Sequence, residues 1–318
     1  MTSSVSAVER GTNREIADWI ATGGPADLPA WIRDSVGSVD PHRRWSVGTR
    51  ISAVERINGD RHLRTVVLDD ASGMTGEAFE AATLEAYRTL LSGIPHAHLL
   101  RAWNFIPRIN DDAGFVADTD GDRGDRGDRY MVFNAGRFRA FRDVHGRPEW
   151  FPVASGVGHA GRDLVLHLLH GAGEPCPVDN PRQILPADYS RRFGDLPPAF
   201  VRAAKVTGVE NASILVSGTA SVVGEDSLHL DCFDRQLEET LDNLETVVAS
   251  CDPDLVPADL DDWLVYLPDP SAEDRVREAI GRRWPDHRMT IEFRAQRLCR
   301  PELLVEIECA GIPSEPAS

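Results

Sequence analysis

The stretch Met289-Thr-Ile-Glu-Phe-Arg-Ala-Gln-Arg-Leu-Cys-Arg-Pro-Glu-Leu-Leu-Val-Glu-Ile-Glu-Cys309 reads as two β-strands joined by a tight turn at Arg300-Pro301-Glu302. Side chains alternate between the faces of a strand, so Leu303, Val305 and Ile307 point one way and Leu304, Glu306 and Glu308 the other. Glu306 then stands between apolar neighbours. Burial disfavours the charged form of a carboxyl and raises its pKa. A carboxyl that keeps its proton near neutral pH is a general acid. An edge strand with a solvated acidic face fits the same residues, because strand carboxylates are commonly exposed. The rest of the chain has to separate the two readings.

Upstream, the sequence runs through strands and helices twice. In the first half, Trp45–Glu55 and Leu63–Leu68 read as strands about an Asn58-Gly59 turn. Phe79–Ser92 reads as a helix with Ala81, Leu84, Tyr87 and Leu91 on one face. Leu99–Pro107 is a strand, Tyr130–Val144 a helix, and Pro152–Gly158 with Asp163–Leu169 a strand pair. The second half repeats this order. Val201–Val206 and Ser213–Gly224 are strands, Cys232–Ser250 is a helix with Leu237, Leu241, Leu244 and Val248 in register, and Trp263–Pro268 is a strand. The helix Ala272–Trp284 and the C-terminal strands close the unit.

Trp103–Pro107 overlays Trp263–Pro268 about 160 residues later, and Leu164–His167 overlays Leu304–Glu306 about 139 later. The segment Asp111 to Arg129, which holds the tandem Gly121-Asp-Arg-Gly-Asp-Arg-Gly-Asp-Arg129 and is charged, turn-rich and hence read as a mobile surface loop, is close in length to the difference. The pattern predicts an α+β fold made by internal duplication, with mixed, mostly antiparallel sheets and packed helices. The expected units are 25–170 and 199–318, with a proline-rich connection at 171–198. His167 falls where Glu306 falls, so one live site and one converted to structure are expected, in a cleft where the halves meet.

The chain has 318 residues, 42% hydrophobic and 27% charged, a soluble globular balance with apolar runs too short to span a membrane. No secretory leader is read at the N-terminus. The five cysteines are odd in number and form no Cys-x-x-Cys pair, which argues against a disulfide framework or zinc site and fits a reducing cytoplasm. A net charge of −17 argues against nucleic acid or an anionic membrane as partner. A small anionic substrate would need a local arginine cluster. Lys205 is the only lysine, so the cationic residues are almost all arginines, the residue suited to bidentate carboxylate binding. Neither metal-ligand spacing nor a Gly-x-Gly-x-x-Gly loop is present, and His159, His167, His170 and His229 read as structural.

At this point several stretches together resemble the chorismatases, enzymes of actinobacterial secondary metabolism that remove the enolpyruvyl group of chorismate. The stretches are His98–Asn110, Arg129–Phe141, Asn180–Gln183, Gly218–Gly224, Gln236–Leu244 and Cys299–Glu308, and they span roughly Trp45 to Glu308. The resemblance implies a duplicated RidA/YjgF-like fold, a pseudo-trimer built from related units, and a site without cofactor or metal. It implies that Glu306 protonates the enol ether, with Glu308 the alternative acid. Tyr130, Arg137 and Tyr189 map on substrate-binding positions. Arg202 and Arg300 are weaker clamp candidates. Read from the residues, Tyr130 and Arg137 are seven apart, two helical turns, and share a helix face; a surface pair fits that spacing as well as a carboxylate clamp.

The sequence departs from the family pattern where Glu225 follows Gly224 in place of a Gly-His pair, at Phe193-Gly194 in place of Tyr-Gly, and at Arg191-Arg192 where prolines are usual. In the family, a thiol at the position of Cys299 goes with 3-hydroxybenzoate as product. Alanine at the position of Ala220 goes with the hydrolytic dihydrodiol. The two cues disagree here, and the expectation leans to 3-hydroxybenzoate. The expected protein is thus a monomeric, cytoplasmic enzyme that releases pyruvate from chorismate. Action on another enolpyruvyl compound, or a catalytically silent metabolite-binding role, is the alternative.

Overall fold

The structure, a computed structural model, describes residues 27–113, 127–146, 148, 150–208 and 213–311. Most of the Gly-Asp-Arg tandem, and with it the surface-loop expectation, lies outside the described residues. The first unit holds α1 (Ala30–Arg33), β1 (Arg43–Val47), β2 (Ile51–Asn58), β3 (Arg61–Leu68), α2 (Gly76–Leu91), β4 (Leu99–Pro107), α3 (Arg129–His145), β5 (Val153–His159) and β6 (Leu164–Gly171). The second holds β7 (Glu174–Val178), β8 (Ala203–Thr207), β9 (Ser213–Ala220), the short β10 (Val222–Val223) and β11 (Asp226–Ser227), α4 (Phe233–Cys251), β12 (Asp262–Leu267), α5 (Glu273–Arg283), β13 (Thr290–Ala295) and β14 (Glu306–Gly311).

The duplication is visible in the topology. One six-stranded sheet has the order β1-β2-β3-β6-β4-β5; the other, read from β7, has β7-β8-β9-β14-β12-β13. Each strand has its counterpart, down to the parallel pairs β4·β5 and β12·β13 at the far edge. Each unit carries its two long helices between corresponding strands. The described residues thus hold two such units. One core cluster lies between the first sheet and α2 and α3, and another between the second sheet and α4 and α5. A third joins the two sheets through Leu63, Trp103, Phe105 and Val165 on one side and Leu215, Ala220, Leu264 and Tyr266 on the other. Among the described residues no helix is long and apolar enough to cross a membrane.

The structure corrects several expectations. The C-terminal strands do not form a hairpin: β12 lies between β13 and β14, parallel to the first and antiparallel to the second. The Arg300-Pro301-Glu302 turn is present, with Leu303 N donating to Arg300 O at 3.1 Å, but it lies on a crossover to β14 and not at the tip of a hairpin, which puts Cys299 and Arg300 at the sheet's end. The last strand begins at Glu306, and Leu303 packs between the sheets instead of sharing a face with Ile307. From Val305 onward the alternation holds: Val305, Ile307 and Cys309 face the helices, while Ala310, and with it Glu306 and Glu308, faces the other sheet.

Trp45–Glu55 is two strands paired as a hairpin, β1 with β2. β5 and β6 do not pair with each other, because β4 lies between them. The proline-rich connection contributes β7 to the second sheet, so the second unit begins inside it. On α2 the deeply buried face is Phe79, Thr83, Ala86, Tyr87 and Leu90. His167 is structural, as anticipated, but it does not stand in the place of Glu306: it lies opposite Trp103, whereas Trp263, the counterpart of Trp103, lies opposite Cys309. Fully buried on β6, His167 meets Thr65 Oγ1 at 2.8 Å through Nδ1 and packs against Phe105 on the inter-sheet side.

The start of α3 is rigidly set. Asp128 caps it by accepting the Met131 N–H at 2.8 Å. Buried Arg129 donates to the carbonyls of Pro107, Met74 and Ala71 at 2.7–3.0 Å. Further along, Gly136 lets α3 lie against α2: a Cβ there would meet Glu80 O at 2.7 Å and Thr83 Cβ at 2.9 Å. Backbone cannot yield as a flexible side chain can. Gly136→Ala gains about 1 kcal/mol of helix propensity but overpacks the contact, which costs about 1–3 kcal/mol or more. A lowered denaturation midpoint is expected; an unchanged or raised one would show that the helices are free to separate.

Candidate active site

A cavity of about 1280 Å³ opens where α3, β5, β9, the crossover and the connection converge. All seven residues singled out from the sequence line it: Glu306, Cys299, Tyr130, Arg137, Tyr189, Arg202 and Ala220. They come from both units and from the connection between them.

Glu306 is buried, at 4% exposure. In register it lies opposite Ala220 on β9 and Tyr266 on β12. Its side chain occupies space that only a glycine can leave: a Cβ on Gly218 would lie 2.0 Å from Glu306 Oε1. No ion pair to Glu306 forms among the described residues. Burial pushes its pKa up to about 8, the neighbouring Glu308 adds to the rise, and Arg101 opposes it. Near neutral pH Glu306 therefore carries its proton into the cavity.

Glu308, the alternative acid, is occupied. Its carboxylate accepts from Trp103 Nε1 at 2.8 Å, Tyr266 Oη at 3.0 Å and the Ser155 hydroxyl, and pairs with Arg101 Nη2 at 2.8 Å. A carboxylate holding four donors is a structural anion, not a proton donor poised for a ligand. Of the two carboxyls, Glu308 is ion-paired and Glu306 has no ion pair among the described residues.

The cationic side of the cavity is built by arginines with spare N–H groups. Arg137 is 3% exposed, and its Nε and Nη2 are buried without a hydrogen-bond partner. Its guanidinium packs over the rings of Tyr87 and Phe141 at 5.4 and 5.8 Å. The surface-pair reading of Tyr130 and Arg137 is thereby excluded. Arg202 Nη2 donates to Tyr189 Oη at 2.7 Å and to Ile184 O at 3.2 Å, and its buried Nε is free. Leaving such donors unmet inside a protein is costly, and a carboxylate satisfies them. Tyr130 lies against Gly156, where a Cβ would stand 3.3 Å from the ring. Burial and the nearby Cys299 and Glu306 push the Tyr130 hydroxyl well above its ordinary range, so it is a neutral donor. Burial and then Glu306 push the Cys299 thiol up to about 12, which leaves it uncharged.

The departures from the family pattern gather at the rim. Glu225 accepts from Ser190 N at 2.8 Å, Ser190 Oγ at 2.7 Å and Arg192 Nη2 at 3.2 Å. Arg300 donates to Glu225 O and Ser227 Oγ and lies over the Phe193 ring at 4.1 Å. These residues clamp the connection over the cavity and leave its floor at Glu306 untouched.

Sequence reasoning missed Ser155 and Arg101. No local pattern marks them, since Ser155 and Arg101 acquire their partners only when the two sheets pack. Gly218 was legible only as part of a matching stretch. The histidines also do something unforeseen: ligand atoms of Glu55, His62 and His170 lie within 4.8 Å of one another. Glu55 Oε1, however, already accepts from Arg64 Nη2 at 3.0 Å and meets His170 Nε2 at 2.9 Å. Arg64 also donates to Leu90 O and Ser92 O at the end of α2. The group is an ion-pair cluster closing a helix terminus, remote from the cavity.

Comparison with known proteins places this arrangement. Residues 46–170 match the family described as "Chorismatase FkbO/Hyg5-like, N-terminal". Over most of its length the chain is similar to the chorismatases. It is 29% identical over 249 residues to a 3-hydroxybenzoate synthase of Streptomyces hygroscopicus, covering 72% of this chain and 69% of the relative. It is 27% identical over 257 residues to a chorismatase of the same organism, covering 78% and 71%. A crystal structure of a chorismatase superposes with a TM-score of 0.70 at 24% identity, over 85% of this chain and 80% of that one, which shows the shared fold. The α+β class with mixed sheets is the expected one, and the fold is shared with that chorismatase.

Protonated Glu306 has a consequence for stability. Its ordinary pKa of 4.5 applies to the unfolded chain and about 8 to the folded one. Below 4.5 both states bind the proton. Between 4.5 and 8 only the folded state holds it, so folding loses stability as pH rises through that window. Glu306→Gln removes this cost. Its unfolding temperature is expected above that of the parent at pH 8 and equal to it at pH 4; equal temperatures at both would mean that the carboxyl is not perturbed.

Proposed function

We propose that the protein removes the enolpyruvyl group of chorismate as pyruvate, with Glu306 as general acid. The observation that carries the reading is a protonated, unpaired carboxyl facing two arginines with free donors in one cavity. Chorismate has two carboxylates, a ring hydroxyl and a vinyl ether. Arg137 and Arg202 take the carboxylates, and the ring stacks in the space bounded by Tyr130 and Phe193.

Glu306 gives its proton to the terminal methylene carbon of the vinyl ether. The electron pair of the carbon–carbon double bond forms the new C–H bond, and the ether oxygen stabilises the resulting oxocarbenium ion. A water that adds to the cation loses a proton to the Glu306 carboxylate, and the hemiketal collapses to pyruvate and a dihydroxycyclohexadiene carboxylate. Attack by the neighbouring ring hydroxyl instead leads, after loss of pyruvate with that oxygen, to 3-hydroxybenzoate with no net water consumed. A vinyl ether needs only a proton donor matched to the working pH for this step. Burial of Glu306 supplies that match, and the neutral Tyr130 hydroxyl donates a hydrogen bond without competing for the proton.

The product is decided where Cys299 and Ala220 face the same cavity. Cys299 is a neutral thiol and fills space beside Glu306, which favours the intramolecular route and 3-hydroxybenzoate. The methyl of Ala220, directly opposite Glu306 in register, favours the hydrolytic route. The likeness to a relative named 3-hydroxybenzoate synthase adds to the first.

Four measurements test the proposal. Purified protein mixed with chorismate is expected to release pyruvate, with kcat/KM level below and falling above about pH 8, the pKa of Glu306. Glu306→Gln is expected to lose at least about 10²-fold in turnover with substrate affinity retained; more than half the parent turnover would exclude it as the acid. Arg137→Ala should weaken substrate binding by roughly 2–4 kcal/mol, the cost of breaking a buried charged hydrogen-bonded pair. The product of the parent should be mainly 3-hydroxybenzoate, shifting toward the dihydrodiol in Cys299→Val. A product mixture unmoved by that change gives the decision to Ala220.

A further inference from the structure

Glu306 is not alone in its environment. Two residues along the same strand, on the same face, stands a second buried carboxylate, Glu308, and a buried cation, Arg101, is paired with it across the sheet interface. A lone acid in an apolar pocket needs neither. The strand bulges between Ile307 and Cys309, so Glu308 falls out of register with β9 and turns toward β4 and β5 of the other unit. There it meets Arg101, Trp103 and Ser155, with Tyr266 from its own sheet. Arg101 is itself fixed: Nη1 donates to Val216 O at 2.7 Å, Nη2 to Ser155 Oγ at 3.0 Å, and its guanidinium lies over the Trp103 ring at 4.9 Å. Ser155 Oγ also accepts the Gly218 N–H at 3.2 Å, and Gly218 is the residue whose missing side chain makes room for Glu306.

We propose that Glu308, locked by Arg101, is a positioning residue that keeps Glu306 in its acid form. A fixed negative charge beside a second carboxyl disfavours ionisation of that carboxyl. The anion must outweigh its own counter-ion at Glu306 and must not be able to take the proton itself. Glu308 stands two residues along the strand of Glu306, Arg101 reaches it from the other sheet, and at Glu306 the influence of Glu308 exceeds the opposing one of Arg101. The oxygens of Glu308 are occupied by four donors, Arg101 among them, and are not free to take a proton from Glu306. The inference rests on the reading of Glu306 as the acid.

The other groups facing Glu306 do not supply this effect. Tyr266 and Cys299 are neutral, their protons held by burial, and Tyr130 on α3 is neutral for the same reason. Among the cations, Arg101 works in the opposite direction, and Glu308 is the charge that counters it.

The test is a direct titration of the Glu306 carboxyl by carbon-13 NMR, its signal identified by its loss in Glu306→Gln, in parallel with the pH profile of pyruvate release. In Glu308→Gln the anion is gone and Arg101 is unopposed, so the midpoint should drop by at least about one pH unit. The upper limb of the pH profile should move down with it, and turnover at pH 7 should be regained on acidification. Where Glu308→Gln does not fold, Glu308→Gln combined with Arg101→Met removes the buried pair as a unit, a change that buried pairs commonly tolerate. Its midpoint should also lie below that of the parent, and above that of Glu308→Gln where both fold. A midpoint unmoved or raised in a folded variant overturns the proposal, whatever the activity. A midpoint that falls as expected in a protein that releases no pyruvate at any pH keeps the electrostatic assignment and removes the proposed reaction instead.

Discussion

The Arg101–Glu308 pair carries the architecture. Two six-stranded sheets pack face to face through an apolar layer, and such a layer fixes distance but not register. The pair fixes register. With Trp103, Ser155 and Tyr266 it ties β4 and β5 of the first unit to β12 and β14 of the second. Side chains of residues 101 and 308 are 1% and 4% exposed. Ions so deeply buried are tolerated only where the geometry satisfies them, so the two halves have one way of meeting. The cavity wall made of β5, β9 and the start of β14 follows from that meeting.

A site built at such a junction inherits an electrostatic gradient. On the floor, an ion-paired carboxylate stands beside a carboxyl that has no ion partner among the described residues. Toward the connection, Arg137 and Arg202 present donors with nothing to bind. A dianionic ligand is drawn to the second end, and its apolar, protonatable end is delivered to the first. The overall charge of −17 repels such a ligand, so the arginines must act locally, where burial strengthens their field. The connection, clamped through Glu225, Ser190 and Arg192, closes the side that the two units leave open.

Much of this was legible in the sequence. The order of elements, the duplication and the helix carrying Tyr130 and Arg137 followed from periodicity, because amphipathic spacing reports which face a residue takes. Periodicity carries no information on which strands pair. For that reason the C-terminal hairpin, the β5–β6 pairing and the single strand over Trp45–Glu55 were misread: a crossover and a hairpin share the same local pattern. Glu306 and Glu308 lie on one face by alternation, and alternation cannot say which is occupied. Only the partners of Glu308, four residues drawn from three other strands, distinguish the acid from the anchor. Arg101 and Ser155 carried no signal because their role exists only in the packed molecule.

The central claim is geometric: one cavity sets the vinyl ether of chorismate against Glu306 and its carboxylates against Arg137 and Arg202. A crystal structure of Glu306→Gln with chorismate bound measures this directly. The account predicts the methylene carbon in van der Waals contact with the side-chain amide of residue 306, and charged hydrogen bonds from both arginines to the two carboxylates. A ligand bound with a carboxylate beside residue 306, or with its vinyl ether turned toward the connection, would contradict it.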